Sequence, residues 1–321
     1  MNILITGGAG YIGSTVAWMF IDRGHKVTII DNLKNGNLSN IPKKSKFIKS
    51  DIANIKKLEK NLDKKYDVVL HFAALIDNQE SLIKKKEYLK NNFYKSKIFF
   101  QFCLKRGIRK FIFSSSAAVY GNSNTIVNEK SKTEPLAPYG LSKLRFENFL
   151  RKLDNKIDYV ILRYFNVVGA EKKLRCGFKI KKNKSIFSNL CQAFFNNKIF
   201  HIYGKNFSTH DGTSVRDYIY ISDLSEVHYN FAKKILKTKL RLTLNCGYGK
   251  GYSVLSVIQK LNLLKKKKIK YYFKPQRKND IEYSVASTKK LEKYFQFKNL
   301  KSKLEIMINS SLLWYKKNKI N

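Results

Sequence analysis

Short apolar runs alternate with longer amphipathic stretches through the first half of the chain. Ile3–Ile5 opens the series, a glycine-rich turn follows, and a helical pattern then continues to about Asp22. Unbroken apolar runs are typical of parallel strands that are buried on both faces. Further strands are predicted at Val27–Ile30, Lys46–Ile52, Asp67–Phe72 and Lys110–Ser114, with helices at about Glu87–Arg106 and Leu141–Leu153. Repeated strand–helix units predict an α/β fold with a doubly wound parallel sheet, whose ligands lie at the carboxyl ends of the strands.

The alternation ends after about Leu174, and this change in pattern predicts a smaller second domain. The elements predicted in this half are a basic loop at Lys179–Lys184, a helix at Ser188–Phe195, strands at Phe200–Gly204 and Lys270–Phe273, a helix at Asp223–Leu236 and a strand at Leu242–Gly247. The helix at Asp223–Leu236 and the strand at Leu242–Gly247 are expected to return to the first domain. We therefore predict a first domain of residues 1–170, with returning segments near 223–247, and a second formed mainly by residues 171–321.

Length and cysteine usage narrow the class of protein. A chain of 321 residues is long enough to bury one or two cores. It has no apolar run of about eighteen residues, and it begins with a predicted strand rather than a basic segment and cleavage site. Cys103, Cys176, Cys191 and Cys246 form no Cys-x-x-Cys pair, which favours reduced thiols over disulfides or a zinc site. We expect a cytoplasmic protein without a membrane span or a metal.

The formal net charge of +41 widens the range of partners to be considered. Such a charge ordinarily indicates nucleic acid or an anionic membrane. The excess is nearly all lysine, however, and it is spread over every segment together with abundant Asn, Ile, Phe and Tyr. No RNA-binding signature accompanies it. We favour mutational bias toward A/T-rich codons over nucleic-acid binding, and we expect the charge to attract an anionic small substrate.

The turn after the first strand has the glycine spacing of a dinucleotide-binding loop. Thr6–Gly13 satisfies both Gly-x-x-Gly-x-x-Gly and Gly-x-Gly-x-x-Gly between a predicted strand and a predicted helix. Glycines let the backbone approach a pyrophosphate, which binds the N–H groups of the helix N-terminus. Asp31 ends the second strand about twenty residues later, where a carboxylate accepts hydrogen bonds from the adenosine ribose and repels a 2′-phosphate. These residues predict NAD rather than NADP; the alternative is a plain glycine turn beside a surface carboxylate.

Tyr139 and Lys143 lie four residues apart, so a helix places both side chains on one face. A free tyrosine has a pKa near 10 and is a poor base at neutral pH. A neighbouring cation favours the phenolate and lowers that pKa, so that the pair can remove a hydroxyl proton. The same spacing arises by chance in a chain rich in Tyr and Lys, so its weight comes from the residues that precede it.

The stretch Phe111–Gly121, with the sequence FIFSSSAAVYG, adds to the glycine loop and the Tyr139/Lys143 pair. Together they resemble the extended short-chain dehydrogenase/reductase family and, within it, the UDP-glucose 4-epimerases. The resemblance continues through Leu162–Asn166, Asp211–Ile219 and Arg277–Asp280, and so runs nearly the whole length in order. It implies a Rossmann-like NAD-binding domain, a UDP-sugar substrate and an isomerase.

The resemblance also implies roles for single residues. Ser116 is expected to hydrogen-bond the sugar oxygen being oxidised, Tyr139 to act as acid and base, and Lys143 to hold the nicotinamide ribose and tune Tyr139. The positions that match cofactor contacts are Gly7, Gly10, Tyr11, Ile12, Gly13, Asp31, Asn32, Asn35, Asp51, Ile52, Phe72, Ala73, Ala74, Asn91, Lys143 and Phe165. The positions that match substrate contacts are Ser116, Tyr139, Asn166, Ser185, His201, Ile202, Tyr203, Arg216, Arg277, Asp280 and Ser284. The alternatives are a surface ion pair for Arg216 and Arg277 and a strand-end cap for Ser116.

Two alanines distinguish among the chemistries of this family. Its dehydratases carry an Asp-Glu pair just after the position of Ser116, and its decarboxylases keep a Glu at the position of Ala118. Ala117 and Ala118 cannot transfer protons. The expected outcome is therefore that Tyr139 takes the 4-hydroxyl proton, hydride passes from C4 to NAD, the 4-keto sugar turns over, and hydride returns to its other face. This predicts inversion at C4 of a UDP-hexose.

Three positions depart from the epimerase pattern. Ile76 stands where these epimerases usually have a Lys near the cofactor, and Ser185 occupies the place of an Asn that contacts the substrate. Ser284 falls where a bulky residue restricts some epimerases to non-acetylated hexoses, and a small side chain leaves room for a 2-acetamido group. We expect UDP-glucose/UDP-galactose as one substrate pair and UDP-GlcNAc/UDP-GalNAc as a second.

Other functions remain open on the sequence. The alternatives are a UDP-glucuronate 4-epimerase or another NAD-dependent nucleotide-sugar oxidoreductase, and a non-catalytic dinucleotide-binding regulator. Intact Ser116, Tyr139 and Lys143 argue against a regulator, because binding alone needs none of them. The resemblance further implies a homodimer acting in galactose metabolism. The interface candidates, which core packing explains as well, are Ile98, Phe99 and Phe102 on one helix and Leu144 and Phe149 on another.

Overall fold

The computed structural model describes residues 1–179, 185–295 and 303–319. Within these ranges the strands are β1 (Asn2–Thr6), β2 (Lys26–Asp31), β3 (Lys46–Lys49), β4 (Val68–His71), β5 (Lys110–Ser116), β6 (Asp158–Tyr164), β7 (Asn166–Val168), β8 (Phe200–Tyr203), β9 (Val215–Tyr220), β10 (Arg241–Cys246), β11 (Gly251–Ser253), β12 (Tyr271–Lys274) and β13 (Tyr283–Ser284). The α-helices are α1 (Tyr11–Asp22), α2 (Ile55–Asn61), α3 (Asn78–Ile83), α4 (Lys85–Leu89), α5 (Ser96–Lys105), α6 (Pro138–Lys152), α7 (Ile186–Asn196), α8 (Ile221–Lys237), α9 (Val254–Lys265), α10 (Lys289–Tyr294) and α11 (Leu304–Lys319).

A sheet of seven strands within these ranges has the order β10-β6-β5-β4-β1-β2-β3. Every neighbouring pair from β6 to β3 is parallel, with registers such as Ile5↔Ile29 and Leu70↔Ile112. The chain starts at β1, builds outward to β3, and then crosses to β4 and builds outward on the other side. This is the doubly wound order, in which ligands bind outside the carboxyl ends of the strands where the order reverses. The predicted fold class is therefore confirmed, and the reversal lies between β1 and β4.

Aromatic side chains join β5 to α5 and α6. Phe113 of β5, Phe100 of α5 and Phe146 of α6 belong to one buried cluster. The centroid of the Phe146 ring lies 4.7 Å from that of Phe113 and 4.8 Å from that of Phe100. Each such fully buried side chain contributes about 1.5–3 kcal/mol. This packing holds α6 in place, and the first two turns of α6 carry Tyr139 and Lys143.

The prediction of a single helix at Glu87–Arg106 is wrong in one respect. A π-helical turn at Lys90–Lys95 separates α4 from α5. Within this turn the Asn92 side chain accepts a hydrogen bond from the Leu75 N at 2.8 Å and donates one to the Leu75 O at 2.9 Å. The apolar spacing predicts helix but carries no information on a side chain that binds the loop after β4. Turns of this kind are frequent at functional sites.

The chain divides into two compact units. Unit 1 consists of Met1–Gly121, Lys132–Tyr164 and Ser225–Leu244, and unit 2 of Asn122–Ser131, Phe165–Leu224 and Asn245–Asn321. In unit 2, β9 lies between β11 and β13 and also pairs with β7, while β8 and β12 form a separate parallel pair. The last helix, α11, packs against α7 and α9. Apart from Lys179, the basic loop predicted at Lys179–Lys184 lies outside the described residues.

The cysteines are all buried with free thiols. In the three ranges described, no helix combines the length and the apolar character needed to cross a bilayer. The same ranges contain no group of three or more His, Cys, Asp or Glu side chains arranged to hold a metal ion.

Candidate active site

The glycine-rich turn between β1 and α1 has no room for a side chain at two positions. Gly7 has a φ of +70°, and a Cβ there would lie 2.6 Å from the Ala73 N. A Cβ at Gly13 would lie 2.3 Å from the carbonyl oxygen of Gly7, because α1 packs directly on the turn. Among the described residues no side chain caps the N-terminus of α1 at Gly10. This helix end therefore offers backbone N–H groups and a positive dipole to an anion such as a pyrophosphate.

Asp31 ends β2 and is tied to the glycine-rich turn. Its Oδ2 accepts a hydrogen bond from the Ala9 N at 3.0 Å, and its Oδ1 accepts one from the Leu33 N at 2.8 Å. Burial raises the pKa of the Asp31 carboxyl, and the two N–H donors offset this in part. Each carboxylate oxygen can accept a second hydrogen bond. Asp31 therefore keeps acceptor capacity for ribose hydroxyls, as the NAD prediction requires.

A second carboxylate, Asp51, follows β3. Its Oδ1 accepts a hydrogen bond from the Ala53 N at 2.9 Å, and its Oδ2 forms an ion pair with Lys95 of the π-helical turn. Burial alone would raise the pKa of Asp51, but Lys95 and Ala53, with a hydrogen bond from Asn32, lower it overall. Asn32 and Asp51 were predicted from separate segments, and the structure brings them together at the ends of adjacent strands.

The other predicted cofactor positions lie in unit 1, except Phe165. They are Tyr11 and Ile12 in the first turn of α1, the exposed Asn35 after β2, the buried Ile52 after β3, the half-buried Phe72, Ala73 and Ala74 after β4, and Asn91 in the π-helical turn. Phe165 belongs to unit 2, where its N–H donates to the Cys246 O at 3.0 Å. Ile76, which stands where these epimerases usually have a Lys, is 70% exposed. Contact of these residues with NAD stays a prediction.

Ser116, Tyr139 and Lys143 come together where β5 ends and α6 begins. Ser116 and Tyr139 are joined by a side-chain hydrogen bond, and the Ser116 Oγ also accepts one from the Ala118 N at 3.2 Å. The Lys143 Nζ donates to the Ser114 O at 2.7 Å. It lies 6.0 Å from the centroid of the Tyr139 ring. Ser116 thus caps the strand end, which was the alternative role predicted for it. Its hydroxyl also contacts Tyr139.

Burial dominates the electrostatics of this group. It lowers the pKa of the Lys143 ammonium to about 7, with Glu147 acting in the opposite direction. It raises the pKa of Tyr139, and the hydrogen bond to Ser116 offsets the rise in part. The sequence predicted a lowered tyrosine pKa from the neighbouring cation. The structure instead has a raised one, because burial of the phenol outweighs the hydrogen bond to Ser116.

Glu147, which the sequence analysis missed, lies one helical turn beyond Lys143. It is fully buried, and both of its carboxylate oxygens are bound by Arg163, at 3.0 Å from Nε and 2.6 Å from Nη2. The Ser115 Oγ and one Nη of Arg151 also donate to it, at 2.5 and 2.8 Å. These donors lower the pKa of Glu147 against the effect of burial. The sequence signal was a glutamate at i+4 from Lys143, on the same helix face.

In unit 2, the sheet around β9 places several predicted substrate residues on one face. Asn166 of β7 stands opposite Tyr218 of β9, and Ser284 of β13 stands opposite Arg216. Tyr252 of β11 stands opposite Arg216 on the other side. Directly opposed residues and residues two apart on a strand share a face, so these five side chains do too. Tyr218 and Tyr252 were missed by the sequence analysis, because their strand pairing is long-range.

Arg216 and Arg277 contact other predicted substrate residues. The Arg216 Nη2 lies 3.1 Å from the Asp280 Oδ1. Burial lowers the pKa of Arg216, and Asp280 opposes this. The Arg216 side chain is 15% exposed and that of Asp280 22%, so the ion pair that was the alternative for Arg216 is present in partly buried form, and the contact of Arg216 with substrate stays a prediction. The Arg277 guanidinium lies 3.6 Å from the centroid of the Tyr203 ring, where the ring face attracts the cation.

The remaining predicted substrate positions are on β8 and at the start of α7. His201 is exposed and Ile202 is buried, as alternation along β8 requires. Ser185 is the N-cap of α7, and its hydroxyl accepts a hydrogen bond from the Ser188 N at 3.3 Å. This cap accounts for Ser185 without a substrate, so its contact with one stays a prediction.

The fold and the site define a class: a Rossmann-type protein with a glycine-rich turn after its first strand and a buried Ser–Tyr–Lys group after its fifth. The chain belongs to the NAD dependent epimerase/dehydratase family, whose profile matches residues 3–247. The predictions of the family, of an enzyme and of NAD as cofactor are thereby confirmed.

Similarity to epimerases extends over nearly the whole chain. The UDP-glucose 4-epimerase from Azospirillum brasilense is 35% identical over 318 residues, which cover 98% of this chain and 91% of that protein. The structure of the UDP-glucose-4-epimerase from Stenotrophomonas maltophila with bound NAD and formylated UDP-arabinopyranose has a TM-score of 0.93 and 30% identity, covering 100% and 99% of the two chains. For the UDP-Glc/GlcNAc 4-epimerase from Campylobacter jejuni the TM-score is 0.83 with 30% identity, covering 98% and 99%. The predicted resemblance is thus confirmed.

Proposed function

We propose that this protein is a UDP-hexose 4-epimerase that interconverts UDP-glucose and UDP-galactose. The observation that carries the proposal is the Ser116–Tyr139–Lys143 group, which stands at the end of β5. In a doubly wound sheet this is the edge at which ligands bind. Dehydration or decarboxylation needs a further acid or base after Ser116. Ala117 and Ala118 occupy the 3₁₀ turn at that point and carry no such group.

Tyr139 is the acid and base of the proposed reaction. The Ser116 hydroxyl hydrogen-bonds Tyr139, and we propose that it binds the oxygen on C4 of the hexose, so that the proton passes from that oxygen to Tyr139. NAD, when bound, supplies a reversible hydride acceptor for C4. After the 4-keto sugar turns over, its other face would receive the hydride back at C4, and Tyr139 returns the proton to the oxygen on C4, whose configuration is then inverted. Because burial raises the pKa of Tyr139, the phenol needs a cation beside it to act as a base, and we propose that Lys143 in its protonated form supplies that charge and stabilises the phenolate.

We assign the UDP moiety to residues of unit 2. Arg216 and Arg277 supply two guanidinium groups that suit the two phosphates. Asp280 is held by Arg216 and has acceptor capacity for ribose hydroxyls. Tyr203 offers an aromatic face beneath Arg277. Accordingly, we propose that unit 1 is the NAD-binding domain and unit 2 the substrate-binding domain.

The substrate range is proposed to include UDP-GlcNAc and UDP-GalNAc. Ser284 stands opposite Arg216 in the sheet. Its side chain is small, whereas a bulky residue at this position restricts some epimerases to non-acetylated hexoses. The likeness to the Campylobacter UDP-Glc/GlcNAc 4-epimerase supports this breadth. A 2-acetamido group adds bulk, and a small residue avoids the clash that a large one would cause.

We further propose a cytoplasmic homodimer that acts in galactose metabolism. The buried free thiols support a reducing compartment. Of the interface candidates, Phe99 and Phe102 are buried within unit 1, whereas Ile98 on α5 is 44% exposed. Leu144 and Phe149 on α6 are half-buried. The proposed contact therefore uses Ile98 with the outer sides of Leu144 and Phe149. Analytical ultracentrifugation of the wild type and of Ile98→Glu would test it.

Incubation of the purified protein with UDP-glucose, UDP-N-acetylglucosamine and UDP-glucuronate, each alone, tests the function. Chromatography should resolve UDP-galactose and UDP-N-acetylgalactosamine as products of the first two. Conversion of UDP-glucuronate alone would replace the proposal with a UDP-glucuronate 4-epimerase. Absence of any C4 epimer, with NAD added, would refute it.

A further inference from the structure

Glu147 is a buried charge whose position the proposed reaction does not by itself explain. It is 0% exposed and accepts hydrogen bonds from Ser115, Arg151 and Arg163. A carboxylate in such surroundings is costly to bury unless its partners are complete. Neither the cofactor positions nor the substrate positions include it. It is linked to the site by its place on α6, one turn after Lys143, and by its contact with Ser115, which lies between Ser114 and Ser116.

We propose that Glu147 is a positioning residue for Lys143: it clamps the end of β5 to α6 and supplies the negative charge that keeps the buried lysine a cation. The proposal rests on the proposed function only for the catalytic use of Lys143. The clamp and the charge are properties of the folded protein and can be measured without turnover.

The clamp follows from three consecutive serines at the end of β5. The Ser114 O accepts from Lys143, the Ser115 hydroxyl donates to Glu147, and Ser116 bonds Tyr139. Three residues on successive turns of α6 thus contact three consecutive residues of one strand: Tyr139 contacts Ser116, Glu147 contacts Ser115 and Lys143 contacts Ser114. The Glu147 contact adds to the β5–β6 ladder in holding the strand end that carries the partners of both catalytic side chains.

The neighbouring strand strengthens the clamp. Arg163 of β6 stands directly opposite Ser115 of β5, and both reach the Glu147 carboxylate. The Arg163 guanidinium also lies 4.8 Å from the centroid of the Tyr120 ring. Glu147 is therefore the common partner of β5, β6 and α6 at this point.

The titratable groups around Lys143 determine how readily it keeps its charge. Tyr139 and Glu147 face it from α6, and His71 faces it from β4. His71 is neutral, because burial and Lys143 lower its pKa to about 3. Burial disfavours the ammonium, and Glu147 is the neighbour that favours it. On its far side Glu147 is balanced by Arg163 and by Arg151, so its removal would leave two guanidinium groups that push Lys143 toward the neutral amine.

The pKa of Lys143 can be measured in the NAD-free protein by NMR of lysine labelled with ¹³C at Cε. Most lysines titrate near pH 10.4, so one that titrates near 7 stands apart and is assigned by its absence in Lys143→Met. Glu147→Gln keeps the size of the side chain and removes its charge. We expect it to lower the Lys143 midpoint by about one pH unit. A midpoint unchanged in Glu147→Gln would overturn the proposal.

Two matched variants separate charge from packing. Ser115→Ala removes one hydrogen bond to Glu147 but keeps the carboxylate, so the Lys143 midpoint should stay within about 0.3 of the wild-type value. Arg151→Gln removes a cation from the far side of Glu147 and should move the midpoint upward. If Glu147 had a purely structural role, the Lys143 midpoint would shift in the same direction in Glu147→Gln, Ser115→Ala and Arg151→Gln, or in none of them. The melting temperature of these variants would also be lower.

Steady-state kinetics measure the effect of Glu147 on the reaction itself. Glu147→Gln should lower kcat about tenfold at pH 7 and leave KM for the UDP-sugar within about twofold, because its contacts lie with the acid–base group. A changed KM with unchanged kcat would contradict positioning. If the wild type proves to lack epimerase activity, the proposed function fails while the NMR titration still decides the role of Glu147.

Discussion

Replacement of Tyr139 by Phe is the sharpest test of the proposed chemistry. The change removes one oxygen from a buried side chain and keeps the ring that packs at the start of α6. The hydrogen bond between Tyr139 and Ser116 is lost, and so is the group that exchanges the proton with the sugar. Lys143 keeps its bond to the Ser114 O, so the rest of the site stays in place.

The effects on stability and on activity should differ widely in size. One hydrogen bond contributes about 0.5–1.5 kcal/mol to folding, and the loss of a buried hydroxyl offsets part of that. A general acid–base group contributes about 10²–10⁴ in rate. At about 1.4 kcal/mol for each factor of ten, this is about 3–5 kcal/mol of the barrier. A small change in melting temperature with a loss of activity of this size would place Tyr139 in the reaction itself.

The assay has two arms. Product formation from UDP-glucose is followed by chromatography over hours, so that a 10⁴-fold loss is still measurable. UDP binding is measured by calorimetry and should be unchanged, since Arg216 and Arg277 do not depend on the phenol. Turnover within about threefold of wild type would remove Tyr139 from the mechanism, because a group that carries the proton cannot be dispensable. Loss of UDP binding would instead indicate misfolding.

The pH dependence of stability, the affinity for NAD and the substrate range should each respond to a single substitution. Because Lys143 releases its proton near pH 7 in the folded protein and near 10.5 in the unfolded chain, the unfolded state binds more protons between these values. Stability of the NAD-free protein against urea should therefore rise by about 2 kcal/mol from pH 7 to pH 9 relative to Lys143→Met. Gly7→Ala should weaken NAD binding in a fluorescence titration and destabilise the protein more than Gly24→Ala, because both glycines have positive φ but only Gly7 meets backbone, at Ala73. Equal losses of stability and of NAD affinity in Gly7→Ala and Gly24→Ala would contradict the close approach of the Gly7 and Ala73 backbones. Ser284→Tyr should lower kcat/KM for UDP-GlcNAc more than tenfold and spare UDP-glucose, and an equal loss for both sugars would refute the role of size at this position.

The parallel sheet and the dinucleotide loop were predictable because their signals are local. Buried parallel strands appear as unbroken apolar runs, and a tight approach to a phosphate requires glycine at fixed spacing. The pairing of Tyr139 with Lys143 is also local, since a helix places residues i and i+4 on one face. Boundaries were less accurate: the helix predicted from Leu141 begins at Pro138, which puts Tyr139 in its first turn.

Long-range contacts account for what the sequence did not predict. Glu147 is 16 residues from Arg163 and 32 from Ser115, and no local pattern joins them. The face shared by Asn166, Arg216 and Ser284 depends on strand pairings between distant segments. Short strands of this kind have little periodicity of their own, so unit 2 was described only in outline.

By itself, the sequence determined the fold class, the glycine-rich turn after the first strand and the residue types that can do the chemistry, because each depends on neighbours along the chain. Only the tertiary structure decided the charge state of those residues. Burial raises the pKa of Tyr139 and lowers that of Lys143, opposite to the tyrosine shift expected from the pair alone. The physical reason is that desolvation depends on everything packed around a group, and that environment is assembled from segments far apart in the chain.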